Sequence, residues 1–164
     1  MVTPQAFRRA MRHLPTGVAV LTTHGPDGPH GTTVNSLLSV SLSPPILAVS
    51  IGNHTRTHDL LLRAGSYAVN VLDADQCGLA DRFAGPRPAG AAGFEGLAWT
   101  PSPVTGNAVL TDSLITIDCR IDDRVRVADH TLFFGSVQDV RTAPNDTGCP
   151  LVYVDRGYRH VAAS

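Results

Sequence analysis

Hydroxyl and amide side chains crowd one stretch of this sequence, residues 31–51, GTTVNSLLSVSLSPPILAVSI. Thr32, Thr33, Asn35, Ser36, Ser39, Ser41, Ser43 and Ser50 sit among apolar and β-branched residues that otherwise read as strand. Side chains along a strand alternate between its two faces, and here both faces carry hydroxyls. Each such group buried without a partner costs on the order of 1–3 kcal/mol. The stretch therefore either lies open to water or supplies donors and acceptors to something bound, and the second reading is the preferred one.

Just downstream, Arg56 is flanked by Thr55 and Thr57 at the start of a predicted helix. A guanidinium beside hydroxyls and free backbone N–H groups suits a phosphate. A solvated arginine beside ordinary capping threonines explains the same residues equally well. His130, in ADHTLFFG, enters a strand next to Asp129 and reads first as a turn histidine that caps its neighbours. The same place also lets it donate to, or stack on, a ligand at a barrel mouth. His54 and His58 have the four-residue spacing of metal ligands, but no glutamate lies between them and no third ligand is near, which argues against zinc. No GxSxG, GxGxxG or GxxxxGKS/T pattern occurs, so no hydrolase elbow, Rossmann turn or P-loop is signalled.

These groups need a scaffold. Residues 4 to 13 read as an amphipathic helix, with Pro4 in its first turn and Phe7, Ala10, Met11 and Leu14 at three-to-four spacing, expected to lie against the body. GVAVLTT reads as a strand and the GPDG at 25–28 as a turn leading into the 31–51 stretch, which makes an antiparallel hairpin. Within that stretch, SPP at 43–45 stops one element and ILAVSI resumes as a strand buried on both faces. TRTHDLLLRA, 55–64, reads as a helix capped by Thr55 or Thr57 and ended by Gly65. SYAVNVL is a further strand, and Asp73 with Gln76 resembles a capping box opening a helix through Leu79 to Phe83. Gly85 to Gly96, rich in Pro, Gly and Ala, reads as a long loop. Ile115, Ile117 and Cys119 alternate with polar residues as a half-buried strand, TLFFGSVQDV follows as another, and PLVYV and YRHV close the chain. Seven or so strands joined by tight turns, with about three inserted helices, predict one mainly β domain over 1–164, a closed or nearly closed antiparallel barrel with flanking helices.

Bulk composition narrows the partners. Hydrophobic residues at 43% and charged residues at 16% exclude a disordered chain. Thirteen basic against fourteen acidic residues leave no broad field for nucleic acid or an anionic membrane. The sequence has no apolar run long enough for a membrane span or a leader. Cys77, Cys119 and Cys149 are widely spaced without a CxxC, which fits a cytoplasmic protein whose thiols are structural or incidental.

Taken together, FRRAMRHLPTGVAVLTT, HGTTVNSLLSVSLSPPILAVSI, TRTH, YAVNVLDADQCGLADRFAG, GFEGLAW, ADHTLFFGSV and PLVYVDRGYR follow the order and spacing of the flavin reductase family. The chain resembles, from about residue 6 to residue 159, the small reductase component of two-component flavin-dependent monooxygenases. The resemblance implies an FMN-binding split β-barrel, Greek-key-like, that forms a homodimer. It implies an NAD(P)H:flavin oxidoreductase: hydride passes from NADH or NADPH to FMN or FAD, and reduced flavin goes to a partner monooxygenase. By the same resemblance Thr33, Val34, Asn35 and Ser36 line the flavin ring and ribityl chain, and Ser39, Ser50 and Ile51 continue that surface. Arg56 and Thr57 hold the flavin phosphate, with Asn53 and His58 beside them. Phe83 and Ala84 wall the ring, His130 stands near the nicotinamide as the catalytic-site histidine, and Tyr158 borders the site. Val154 departs from the histidine that relatives often carry there. Two other readings keep the scaffold but change its function. One is a flavin-binding module without reductase turnover, and the other is a barrel recruited to a different flavin-dependent reaction.

Overall fold

A computed structural model describes residues 1–85, 93–143 and 148–161. The expected hairpin forms from β2 (Ala19–Gly25) and β3 (Gly28–Val34), paired Gly25 to Gly28 so that Pro26 and Asp27 make the turn. Gly28 has φ 109°, where glycine alone is at ease. β4 (Leu37–Leu42) and β5 (Pro45–Gly52) flank the proline-rich break, and β5 is buried on consecutive residues Leu47, Ala48 and Val49, hence on both faces. β6 (Ser66–Val71), β9 (Ile115–Val127) and β10 (His130–Thr142) complete a seven-stranded antiparallel sheet in the order β3-β2-β6-β9-β10-β5-β4.

That order forces curvature. β3 and β4 lie at opposite edges, yet only residues 35 and 36 separate Val34 from Leu37. Seven flat strands would hold those edges about 29 Å apart at the usual interstrand spacing, whereas the connecting chain reaches about 11 Å. The sheet must curl into a barrel. Its two edges are neighbours without pairing to each other among the described residues, so the barrel is split along that seam.

Ala19, Leu21, Tyr67, Val69, Cys119 and Phe133 fill the barrel, and Leu61 closes it from α2 (Arg56–Ala64). Thr55 caps α2, accepting from the His58 amide at 3.2 Å, and Gly65 ends it at φ 65°, as the sequence predicts. The alternate residues of β2, Val18 at its threshold and Val20 within it, face a second core with Leu72, Phe83, Phe94 and Leu151, where α3 (Cys77–Ala84) covers the barrel wall. Only half of the expected capping box forms: Gln76 Oε1 accepts from the Asp73 amide at 2.8 Å, while Asp73 turns to accept from the Cys149 amide at 3.2 Å. Helix α3 therefore starts at Cys77, with Gln76 as its cap residue.

Three features differ from the sequence reading. Helix α1 (Pro4–Met11) buries none of its residues, and Phe7 and Met11 are 62% and 43% exposed, so the apolar stripe exists but none of the described residues covers it. β4 likewise turns Leu38, Val40 and Leu42 to solvent. Short strands β7 (Trp99–Pro101) and β8 (Ala108–Leu110) were not expected; they are fastened to the barrel by the buried carboxylate of Asp118, which accepts from Ser102 Oγ at 2.5 Å and Thr105 Oγ1 at 2.6 Å. β11 (Val152–Val154) and β12 (Gly157–Arg159), from the expected terminal strands, form a small sheet with β1 (Thr16–Gly17). All three cysteines are free, and burial pushes the Cys119 thiol up to about 12. The predicted loop from Gly85 to Gly96 falls largely outside the described residues.

Candidate functional site

The seam carries the hydroxyl-rich stretch. Thr33 Oγ1 donates to the Ala80 carbonyl of α3 at 2.6 Å, Asn35 Nδ2 to Thr16 Oγ1 at 3.0 Å, and Ser36 Oγ to the Ser50 carbonyl at 2.8 Å. Part of the polar crowding is thus satisfied by the protein itself, against the expectation that a ligand meets all of it. Ser39 lies exposed on edge strand β4, where water can satisfy its hydroxyl.

Beside these residues two clefts open. One, of about 200 Å³, is lined by residues 32–36, by Ser50, Ile51 and Gly52, and by Thr55 and Thr57 at the start of α2. The other, of about 380 Å³, is lined by Val18, Asp81, Ala84, Tyr153 and residues 156–158. Thr33, Val34 and Asn35 line both, so one groove runs over the seam from the α2 N-terminus to the β11–β12 hairpin. Its combined size falls in the range of small-molecule sites. A third cavity, about 440 Å³ around Thr111, Asp112 and Ser113, shares no lining residue with the groove and holds none of the sequence-predicted residues.

At the α2 end, unpaired N–H groups and the helix dipole favour an anion. Thr57 is buried, its Oγ1 2.9 Å from His30 Nε2. Arg56 pairs with Asp27 of the β2–β3 turn at 3.2 Å, both side chains more than a third exposed, so the guanidinium keeps donors free for a ligand. His30 and Asp27 were missed by sequence reasoning; the β2–β3 hairpin register brings them under α2, and no local pattern announces that. Burial, and secondarily Arg56, hold the His30 imidazole below its ordinary value, which keeps it neutral.

The remaining expected residues sort by geometry. Asn53 is used inside the protein, donating to the Ala128 carbonyl at 3.1 Å and accepting from Thr131 Oγ1 at 2.7 Å. His58 points to Thr131 Oγ1 at 3.1 Å and packs edge-on to Phe133, away from the groove lining. Phe83 is buried against Phe94 and closes on Gly31, where a Cβ would stand 2.6 Å from the Phe83 ring. It supports the floor and does not line it. His130 opens β10 opposite Gly52, half exposed, with Nδ1 2.9 Å from Asp129 Oδ1 and Nε2 within 3.8 Å of the Cβ position of Gly52, at the groove's rim. That hydrogen bond is the first cause holding the Asp129 carboxyl below the usual range. Tyr158 lines the second cleft and donates to Asp81 at 3.1 Å; burial, then Asp81, raises its phenol to about 12, so it stays protonated. Among the described residues no three His, Cys, Asp or Glu side chains converge as a metal site.

The groove offers a hydroxyl- and amide-lined floor, an anion-favouring end and flanking aromatic rings, which fits a flat heterocycle carrying a phosphate tail. Comparison with known proteins points the same way. Residues 11–162 match the family described as flavin reductase like domain. The chain is 40% identical over 148 residues to the NADH-dependent FMN reductase AsuE2 of Streptomyces nodosus subsp. asukaensis, covering 90% of this chain and 79% of that protein. It superposes on the NADH:FAD oxidoreductase SgcE6 of Streptomyces globisporus with a TM-score of 0.91 at 31% identity, covering 99% and 98% of the two chains. The styrene monooxygenase flavin reductase of Pseudomonas putida S12 gives a TM-score of 0.84 at 31% identity, with 96% and 98% covered.

Proposed function

The chain belongs to the flavin reductase like domain family, and from that premise we propose that it is an NADH-dependent flavin oxidoreductase whose groove along the split seam takes FMN or FAD. The observation that carries this reading is the continuity of the groove, which joins an anion-favouring helix end to a floor of backbone and hydroxyl groups long enough for a ring. A bound flavin would supply the hydride acceptor for the dihydronicotinamide. The chain's own work is to bind and orient. Arg56, Thr57 and the α2 N-terminus hold the phosphate; Asn35, Ser36, Ser50 and the backbone of residues 33–36 and 51 position the ring and its ribityl chain. Donors left free along this stretch would steady the negative charge that grows on a bound flavin on reduction, the main electrostatic aid that this chemistry needs. Ala84 and Tyr158, which line the second cleft, would border the ring. His130 borders the nicotinamide and moves no obligatory proton, so His130→Ala slows turnover roughly tenfold, within the range of positioning effects, and leaves flavin binding intact; stopped-flow flavin reduction checks this.

Relatives that serve monooxygenases support passage of reduced flavin to a partner oxygenase. The exposed apolar α1 stripe and β4 edge support a homodimer, since soluble proteins rarely leave such an edge uncovered. Three unpaired thiols accord with a cytoplasmic setting, and no helix among the described residues is long and apolar enough to cross a membrane. The family match over nearly the whole chain supports reading 1–164 as one domain. The deciding experiment mixes purified protein with NADH or NADPH and added FMN, FAD or riboflavin, and follows the loss of dihydronicotinamide absorbance. No flavin-dependent oxidation in any combination overturns the reading in favour of a flavin-binding module.

A further inference from the structure

We infer that Arg156 is a specificity-determining residue that receives the diphosphate of the nicotinamide dinucleotide, in the cleft between β3 and the β11–β12 hairpin. The inference begins with backbone geometry. Asp155 and Arg156 form the two-residue turn of that hairpin with φ 49° and 64°. Both sit in the left-handed region that such turns reserve for Asn, Asp and Gly, so Arg156, in the position that most often holds glycine, is the residue out of place. Asp155 has a visible reason to be present: its amide donates to the Arg12 carbonyl at 2.7 Å and its carboxylate pairs with Arg12 at 3.2 Å, tying the hairpin to the end of α1. Arg156 has none. It makes no hydrogen bond or ion pair with the described residues, and it lines the cleft. Strain kept for an unpaired cation over a cleft points to a bound partner.

The cleft's other groups define the partner's class. Tyr153 and Tyr158 stand edge-on with ring centroids 5.6 Å apart, offering aromatic surface to a base. Asp81 accepts from the Tyr158 phenol at 3.1 Å and so holds that ring in place beside the cleft. A guanidinium that forks onto phosphate oxygens, next to such rings, completes a set suited to a nucleoside diphosphate. Position selects between the two substrates, and this step rests on the flavin reading above. The α2 N-terminus lies at the opposite end of the groove, with Arg56 between the lining residues Thr55 and Thr57, and the phosphate of FMN and the diphosphate of FAD both hang from the same ribityl chain. A diphosphate at the Arg156 end therefore comes from the hydride donor.

The test compares NADH with 1-benzyl-1,4-dihydronicotinamide, a hydride donor without phosphate. Arg156→Ala is expected to raise KM for NADH about tenfold with little change in kcat, to affect the benzyl donor several-fold less, and to leave the FMN Kd unchanged. Arg156→Lys retains most of the NADH affinity. Arg156→Gly is the decisive variant, because it relieves the left-handed turn: its melting temperature rises while its KM for NADH rises as well, a combination that a merely structural residue does not produce. Unchanged KM for NADH, equal loss with both donors, loss confined to NADPH, or weakened FMN or FAD binding with NADH unaffected each overturns the assignment. NAD⁺ titration of the flavin-loaded protein separates the two readings: binding that depends on Arg156 in a protein without turnover removes the reductase reading alone and supports the site.

Discussion

Arg56 and His30 show how one hairpin tunes the anion end of the groove. A charge-assisted hydrogen bond is worth about 1.5–3 kcal/mol, so Arg56→Ala weakens FMN roughly 10- to 100-fold. Riboflavin, which lacks the phosphate, changes little, and fluorescence titration of both ligands checks the difference. The Asp27 pair is too exposed to matter for stability. His30 carries a pH signature. Its folded-state value lies below 6.5, so the unfolded chain takes up a proton first as pH falls. The stabilisation is complete above 6.5 and is lost as pH drops from there toward the folded value. Thermal melts in acid buffers should show wild type losing more stability below 6.5 than His30→Gln does.

At the scale of elements, what was legible in the sequence was what is local. Helix α2 could be bounded because Thr55 caps it and Gly65 ends it within the same short stretch. The β2–β3 turn and the proline break between β4 and β5 are local too. The hydroxyl-rich stretch was found by composition alone, but the fate of each hydroxyl was not, since the Thr33 bond to Ala80 spans 47 residues. For the same reason Asn53 and His58, close to Arg56 in sequence, turned out to be tied to the β9–β10 end. Strands β7 and β8 escaped because three-residue strands carry little period, and what holds them is Asp118 in β9. That carboxylate is 1% exposed and satisfied wholly by hydroxyl and amide donors. Asp118→Ala leaves those donors buried without an acceptor, which costs on the order of 3 kcal/mol. The melting temperature should fall by roughly 6–12 °C, with Asp118→Asn falling less; calorimetry decides.

For the molecule as a whole, amphipathicity of α1 was legible but what covers its apolar face was not, because a single chain's sequence does not name the partner of a stripe. Phe7, Met11 and Leu14 on one side and Leu38, Val40 and Leu42 on the other stay exposed together. A homodimer that covered them would lose affinity when a charge is placed among them. Leu42→Glu, at a side chain that is 88% exposed and so dispensable to the isolated fold, should shift the protein toward monomer in light scattering without lowering its helix and strand content.

The two-residue link from Val34 to Leu37 acts as a clasp on the ring of strands. The circumference of the barrel is fixed by chain length at that point, because the two edge strands are not paired to each other there. Asn35 and Ser36, which line the groove, are the clasp itself. Any ligand seated on them also braces the fastening, so the width of the mouth and the occupancy of the groove are one mechanical variable.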